Sequence, residues 1–235
     1  MSRIVITYSE RVENHAGMQI LGTSTPSGIS YDTLLRYHQE HPTETVFHDI
    51  SVPDYPACVI VLPKFIQKLF PNSDHFEELK NLPWDKQAFM RGRVVNKIAR
   101  YNLCFGKEYQ QADFEAKKGT VIPMSTTSFM DTTAKFFERE FNLPPLLAEG
   151  NYYYNRNCYI GWHGDGERRI VIGVSYGDTM YLKYNWYVQC QQWSPEEYVI
   201  ELNDGDVYIM SEKAVGHDWK KQNIPTLRHC ATFDR

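Results

Sequence analysis

Two side chains in the second half of the chain have the types and spacing of a metal site. His163 and Asp165 are separated by one residue, and in a β-strand residues two apart point to the same side of the sheet. An imidazole nitrogen and a carboxylate oxygen would then meet in one small volume. The third ligand is expected from His217, which follows a predicted hairpin turn at Asp204-Gly205 and a short apolar strand.

Two histidines and one carboxylate restrict the choice of metal. With open coordination positions they form the facial triad of non-haem Fe(II) oxygenases, where three protein ligands hold the iron and the other positions take a cosubstrate and O₂. The same set also suits Zn²⁺ in a hydrolytic site, or a metal-binding module without catalysis. The sequence therefore predicts a metal centre at His163, Asp165 and His217, and its neighbours must decide between these chemistries.

The neighbouring residues favour a site for a dicarboxylate. Asn151 and Tyr153 share one face of a predicted strand, twelve residues before His163. Arg228 follows His217 in the sequence, and the planar guanidinium of an arginine grips a carboxylate through two parallel hydrogen bonds. Neither a hydrolytic zinc site nor a non-catalytic module needs a dicarboxylate, so the pattern disfavours both.

Taken in order, these motifs resemble the AlkB-like family of 2-oxoglutarate- and Fe(II)-dependent dioxygenases. The resemblance covers about residues 58–235 and includes Asn151-Tyr152-Tyr153, Trp162-His163-Gly164-Asp165-Gly166, Asn203-Asp204-Gly205-Asp206, His217 and the closing Arg228 to Arg235. It implies Fe(II) bound by His163, Asp165 and His217. It also implies 2-oxoglutarate held by Asn151, Tyr153, Arg228 and Arg235.

The last eight residues depart from the family pattern. Arg235 lies seven positions after Arg228, where the family usually has six, and Cys230 takes the place of an asparagine. Strict strand alternation would point the two arginines to opposite faces. A one-residue bulge near Asp234 would restore the pairing.

The resemblance also implies the reaction and a substrate class. It implies that 2-oxoglutarate and O₂ are consumed, giving succinate and CO₂, while an N-alkylated base in DNA or RNA loses its methyl group as formaldehyde. A base in a duplex must be flipped out to be reached. Residues 64–120 contain 11 Lys or Arg against 7 Asp or Glu, and they are the expected contact region. Expected phosphate contacts are Arg91, Arg93, Lys97, Arg100 and Lys107, and expected stacking residues are Trp84 and Tyr101.

Other functions remain open at this point. An enzyme of the same fold could hydroxylate or demethylate a protein or a small molecule, because fold does not fix the substrate. A non-catalytic metal-binding jelly roll that recognises a partner is a further alternative. It would bind metal without consuming O₂.

The elements needed to position these residues are mainly strands. Tyr-, Val- and Ile-rich runs predict strands at 151–154, 159–163, 168–176, 180–188, 198–202, 206–210 and 227–233. Helices are predicted from Ser30 to Gln39, after Asp74 and over 125–142. The expected fold is α+β, with a double-stranded β-helix (jelly roll) core and flanking helices. Its expected parts are an acidic N-terminal extension (1–57), a substrate-recognition lid with a flanking helix (58–120) and the catalytic core (121–235).

Composition excludes several other classes of protein. Of the 235 residues, 42% are hydrophobic and 14% aromatic, which argues against wholesale disorder. No apolar run approaches the roughly 18 to 20 residues that span a bilayer, and the first residues lack a signal-peptide pattern.

The cysteines and the net charge bear on compartment and partners. The five cysteines are scattered along the chain, which argues against a disulfide framework. An intracellular (cytoplasmic or nuclear) protein is therefore expected. The net charge of −4 disfavours a general nucleic-acid binder, but residues 64–120 are basic.

Overall fold

The computed structural model describes residues 1–71, 74–193 and 195–235. The strands in these ranges are β1 (Arg3–Ser9), β2 (Arg11–Glu13), β3 (Ile20–Gly22), β4 (Val46–Asp49), β5 (Cys58–Leu62), β6 (Gln87–Met90), β7 (Arg93–Asn96), β8 (Tyr101–Gly106), β9 (Val121–Pro123), β10 (Leu147–Tyr153), β11 (Ile160–His163), β12 (Ile172–Gly177), β13 (Met180–Val188), β14 (Gln191–Gln192), β15 (Tyr198–Leu202), β16 (Val207–Met210) and β17 (Thr226–Thr232). The helices are α1 (Tyr31–Glu40), α2 (Phe65–Leu69), α3 (His75–Lys80), α4 (Met130–Glu140) and α5 (Glu212–Val215). In the described part of the chain, every helix is too short or too polar to cross a membrane.

The larger sheet has the strand order β4-β5-β16-β12-β1-β10-β8-β9. Its strand β1 is antiparallel to both neighbours, β10 and β12. All seven residues of β1 are buried, since its two faces are both covered and its two edges are both paired. Residues 1–57, expected as an acidic extension, therefore contribute a central strand to this sheet.

The smaller sheet has the order β11-β17-β13-β14, and β15 pairs with β13 on its other edge. The strands predicted at 180–188 and 198–202 are confirmed as β13 and β15. Those predicted at 159–163 and 227–233 are confirmed to within one residue as β11 and β17. Period-2 alternation of large apolar residues is thus a reliable signal in this region.

The buried side chains form two main clusters on opposite faces of the larger sheet. Ile4 and Ile6 of β1 point to the helical side, where they join Phe129 and Phe137 of the α4 region. Val5 points the other way, into a cluster shared with the smaller sheet. The predicted mixed α+β architecture is confirmed, with strands predominating.

The helix starts follow ordinary capping chemistry. Ser30 Oγ accepts a hydrogen bond from the backbone N–H of Thr33 at 3.1 Å, and Asp74 Oδ1 accepts one from Glu77 N at 3.1 Å. Both helices were expected at these positions. The helix predicted from residue 125 starts later, at Met130, because residues 124–126 form a 3₁₀ turn first.

Candidate metal centre and its cavity

A cavity of about 640 Å³ lies between the two sheets. Its walls come from both sheets, because alternate side chains of β1, β10 and β16 face β13 and β17. The cavity is lined by both polar and apolar side chains. Its polar lining includes Arg3, Glu149, Asn151, Tyr153, Tyr208 and His217.

His163 is the last residue of β11, and Asp165 lies just beyond it in a turn. The backbone N–H of Asp165 donates to the carbonyl oxygen of Val215 at 3.0 Å. Between them, Gly164 packs so closely that an added Cβ would lie 2.3 Å from the carbonyl oxygen of Gly216. The chain can therefore approach residues 215–216 this closely only with glycine at position 164, which fixes the positions of the two ligand side chains.

A third side chain completes a cluster of possible metal ligands. The ligand atoms of His163, Asp165 and His229 all lie within 4.8 Å of one another. Asp165 Oδ1 is 3.3 Å from Nε2 of His163 and 3.8 Å from Nε2 of His229. One ion of the size of Fe(II) or Zn²⁺ could contact all three groups, which form the two-histidine, one-carboxylate set.

His217 was expected as the third ligand. The histidine whose ring nitrogen lies with the ligand atoms of His163 and Asp165 is His229 of β17. The reason is register: β17 pairs with β11 so that His229 lies opposite His163. His217 lines the same cavity, and its Nδ1 lies 3.0 Å from the carbonyl oxygen of Arg168.

Two of the three groups have pKa shifts that suit metal binding, whereas at His163 burial is outweighed by the Asp165 carboxylate, which raises the pKa of the ring. Nδ1 of His163 lies 2.8 Å from the carbonyl oxygen of Gly161, so a hydrogen on Nδ1 leaves the Nε2 lone pair free. Burial is the main cause that lowers the pKa of His229, to about 3, and the nearby His163 acts in the same direction, so this ring is neutral. Burial opposes ionisation of Asp165, but Arg168 and His163 outweigh it and lower the pKa of this carboxyl.

Arg168 lies behind the aspartate in a buried charge network. Its Nη2 donates to Glu149 Oε2 and to Glu167 Oε1, both at 2.6 Å. Its Nε lies 3.8 Å from Oδ2 of Asp165. The guanidinium thus holds three carboxylates in place, which stabilises the ionised form of Asp165 and orients it.

The predicted cosubstrate residues of β10 also face this cavity. Asn151 and Tyr153 line it, as expected for residues two apart on one strand. Asn151 Oδ1 accepts hydrogen bonds from Arg100 Nε at 2.6 Å and from Asn102 Nδ2 at 2.8 Å. Arg100, expected to contact phosphate, is therefore a second cavity residue beside Asn151.

The predicted arginines at the end of the chain lie elsewhere. Arg228 points to the opposite face of β17 from His229, with its guanidinium 4.0 Å from the centre of the Tyr187 ring and 5.2 Å from that of Trp219. Arg235 is exposed and lies beyond the end of β17. Arg228 therefore faces away from the cavity because side chains alternate along β17, and Arg235 does not face it because the strand has already ended.

The residues expected to stack on a base are in different environments. Trp84 is buried, its indole N–H donates to the carbonyl oxygen of Leu79 at 2.9 Å, and its ring packs on Tyr152. It is not available to stack on a substrate. Tyr101 is partly exposed and stacks on Tyr154 with ring centres 4.2 Å apart.

The basic residues of 64–120 also divide into two groups. Arg91 and Arg93 are exposed at the turn of the β6–β7 hairpin. Lys97 instead turns inward, and its Nζ donates to Asn14 Oδ1 and Asn102 Oδ1, both at 2.8 Å. Of these three, only the hairpin arginines have side chains that are free to meet a ligand from solvent.

The first fifteen residues contribute cavity residues that the sequence patterns did not identify. Arg3, Glu13 and His15 all line the cavity. Arg3 belongs to β1, and the other two lie at and just after β2. The one signal in the sequence is a charged residue, Arg3, opening an otherwise apolar β-branched run.

No protein-family model matches the chain. Over 245 aligned residues, the chain is 45% identical to the "Uncharacterized protein R156" of Acanthamoeba polyphaga mimivirus. The alignment covers 99% of this chain and 96% of that protein. It therefore takes in the acidic first 57 residues as well as both sheets.

Proposed function

We propose that this chain, which belongs to the same family as the mimivirus protein R156, is an Fe(II)- and 2-oxoglutarate-dependent oxygenase with a double-stranded β-helix core. The observation that carries the proposal is the His163, Asp165 and His229 cluster on the wall of the cavity between the sheets. Its donor set is that of non-haem Fe(II) oxygenases, with room for a cosubstrate beside it.

The proposal gives the cavity residues three roles. His163, Asp165 and His229 would hold the metal, and Arg168 keeps Asp165 ionised and oriented. When bound, Fe(II) would couple the oxidative decarboxylation of 2-oxoglutarate to hydroxylation of a substrate C–H bond. Apolar side chains of β1, β13 and β15 would keep bulk water from this chemistry; they are Val5, Leu182 and Leu202.

The proposal is tested by the turnover of 2-oxoglutarate. Protein purified without oxygen and loaded with Fe(II) should form succinate from 2-oxoglutarate only when O₂ is admitted. The His163→Ala/Asp165→Ala variant should lose this turnover, whereas His48→Ala, on edge strand β4, should keep it. Full turnover by the double variant would overturn the assignment, and so would bound Zn²⁺ without any succinate formation.

For the substrate, we propose an N-alkylated base of DNA or RNA. The β6–β7 hairpin exposes Arg91 and Arg93, and the chain then runs through the exposed Ile98 to Arg100 at the cavity. This path would bring a phosphate backbone past the cations and a flipped base toward the metal. Tyr101 and Tyr154 would be the nearby aromatic platform.

Methylated oligonucleotides and methylated peptides should separate the substrate classes. Addition of a methylated oligonucleotide should increase the rate at which succinate forms from 2-oxoglutarate. The oligonucleotide itself should release formaldehyde and become lighter by the mass of one CH₂. A methylated peptide of similar size should do none of these. The reverse result would assign the enzyme to the alternative class that acts on proteins.

A further inference from the structure

Arg3 is a buried cation whose position on β1 the metal cluster does not explain. Its exposed fraction is 0%, and it shares one face of β1 with Val5 and Thr7, all three lining the cavity. The opposite face of the strand packs on the helices. Arg3 therefore lines the same cavity as His163 and Asp165, from the other sheet.

Only one of the three nitrogens of the Arg3 guanidinium makes hydrogen bonds within the described residues. Nη1 donates to the carbonyl oxygens of Asp178 at 2.8 Å and Leu202 at 2.6 Å. Nε and Nη2 are buried and have no hydrogen-bond partner in the described ranges. Each such buried donor costs free energy if it stays unpaired.

The charge of Arg3 is also uncompensated at close range. Among residues 1–71, 74–193 and 195–235, no carboxylate lies within salt-bridge distance of it. Burial lowers its pKa, but only to about 10, so it remains a cation at neutral pH. The more distant Asp206 and Asp204 favour its charged form, but a buried cation with no carboxylate in contact is expensive to maintain, as expected of a group that binds an anionic ligand.

The two unpaired nitrogens define the shape of that ligand. Nε–H and Nη2–H lie on the same edge of the planar guanidinium and point in parallel, which is the geometry that a carboxylate accepts with both oxygens. Because Nη1 is held by two backbone carbonyls, this edge is fixed before any ligand arrives. A carboxylate would neutralise the charge and satisfy both donors at once.

Tyr208 lines the same cavity as Arg3 and the metal cluster. A ligand with an acid group at each end would have the cluster for one end and the free edge of Arg3 for the other.

We propose that Arg3, and not Arg228, binds the far carboxylate of 2-oxoglutarate. The inference rests on the proposed function for the identity of the ligand, but its physical basis is the unpaired edge of Arg3 alone. It assigns a binding residue to the part of the chain that lies outside the family resemblance.

The test compares two keto acids that differ in that carboxylate. Binding of 2-oxoglutarate and of 2-oxopentanoate is measured by calorimetry without O₂, with Mn²⁺ in place of Fe(II). The wild-type protein should prefer 2-oxoglutarate by about 10- to 100-fold, the range of a charged hydrogen-bonded pair. Arg3→Met should lose this preference, Arg3→Lys should keep part of it, and Arg228→Met should keep all of it.

If Arg3→Met does not fold, the wild type and Arg3→Lys decide the proposal, and an Arg3→Lys preference equal to that of the wild type overturns it. Equal affinity for the two acids overturns it, and so does a preference that Arg228→Met removes and Arg3→Met retains. If neither keto acid binds with Mn²⁺, the proposed function fails, and glutarate without metal becomes the probe. Glutarate binding that Arg3→Met removes supports the anion site, and no binding to the wild type overturns it.

Discussion

Nε2 of His229 lies 3.8 Å from Oδ1 of Asp165, whereas Nδ1 of His217 is held 3.0 Å from the carbonyl oxygen of Arg168. The two histidines therefore have different roles in one cavity. We expect His229→Ala to abolish high-affinity binding of Mn²⁺, because it removes one of three ligands. His217→Ala should weaken it by no more than the roughly 10- to 100-fold typical of an outer partner.

Calorimetry with Mn²⁺ on the two variants checks this prediction. Circular dichroism should first show that both retain the wild-type β-sheet signal. A greater loss in His217→Ala than in His229→Ala would return His217 to the ligand set.

The close packing of Gly164 gives a second prediction. An alanine there would place Cβ 2.3 Å from Gly216 O and 2.6 Å from Cβ of Trp219, whereas at Gly166 the nearest contact would be an ordinary 3.5 Å. Gly164→Ala should therefore push His163 and Asp165 apart and weaken Mn²⁺ binding strongly, while Gly166→Ala should be near wild type. Equal Mn²⁺ affinities in the two variants would show that the turn can absorb the methyl group.

The sequence predicts those features of the site that depend on residues close together in the chain. Asn151 and Tyr153 share a cavity face because strand alternation needs only two neighbouring residues. His163 and Asp165 also lie together as their spacing suggests, but Asp165 is past the end of β11, so strand alternation is not the reason. The choice of His229 over His217 depends instead on how β17 aligns with β11. Sequence spacing does not contain that register, since one residue of slip reverses every side chain.

The same limit explains the fold. Strands β11, β13, β15 and β17 and the caps at Ser30 and Asp74 follow from local patterns. The pairing of β1 with β10 and β12 joins segments far apart in the chain, so β1 could not be recognised as central. Arg3 was missed for that reason.

The Arg168 network gives a prediction for stability. Arg168→Met would leave Glu149 and Asp165 as buried carboxylates without their cation, at a cost of about 3–5 kcal/mol in the free energy of unfolding. Arg169→Met breaks only a partly exposed pair with Glu212, at a cost of about 0–1 kcal/mol. Urea unfolding measures both variants, and losses of similar size would contradict the role given to Arg168.

Lys97 gives a prediction for pH dependence. Burial lowers its pKa from 10.5 to about 8, so the folded state binds fewer protons than the unfolded state between these values. The contribution of Lys97 to the free energy of unfolding should therefore rise as the pH goes from 8 to about 10.5. Below pH 8 the penalty for burying its charge is fully present.

Urea unfolding at several pH values checks the sign. Lys97→Met should lose this rise, although it is less stable overall because Asn14 and Asn102 lose a donor. Lys86→Met, which removes an exposed lysine beside Tyr101, should keep the wild-type slope. An unchanged slope in Lys97→Met would mean that Lys97 titrates normally in the folded protein.

The hairpin arginines give a prediction for nucleic-acid binding. Arg91→Gln/Arg93→Gln should reduce the slope of log affinity against log salt by roughly 1.4 for a single-stranded oligonucleotide, about 0.7 for each phosphate that the protein no longer neutralises. Lys135→Gln, exposed on α4 on the helical side of the larger sheet, should leave the slope unchanged. Identical slopes in the wild type and both variants would remove the hairpin from the proposed interface.

The central position of β1 has a consequence for how the protein is made. Its two neighbours are residues 147–153 and 172–177, so a chain emerging from the ribosome carries β1 with both edges open until these have been synthesised. Open, apolar strand edges are where growing chains associate wrongly. We therefore expect aggregation during synthesis or refolding to begin at β1, and refolding yield to fall steeply with protein concentration.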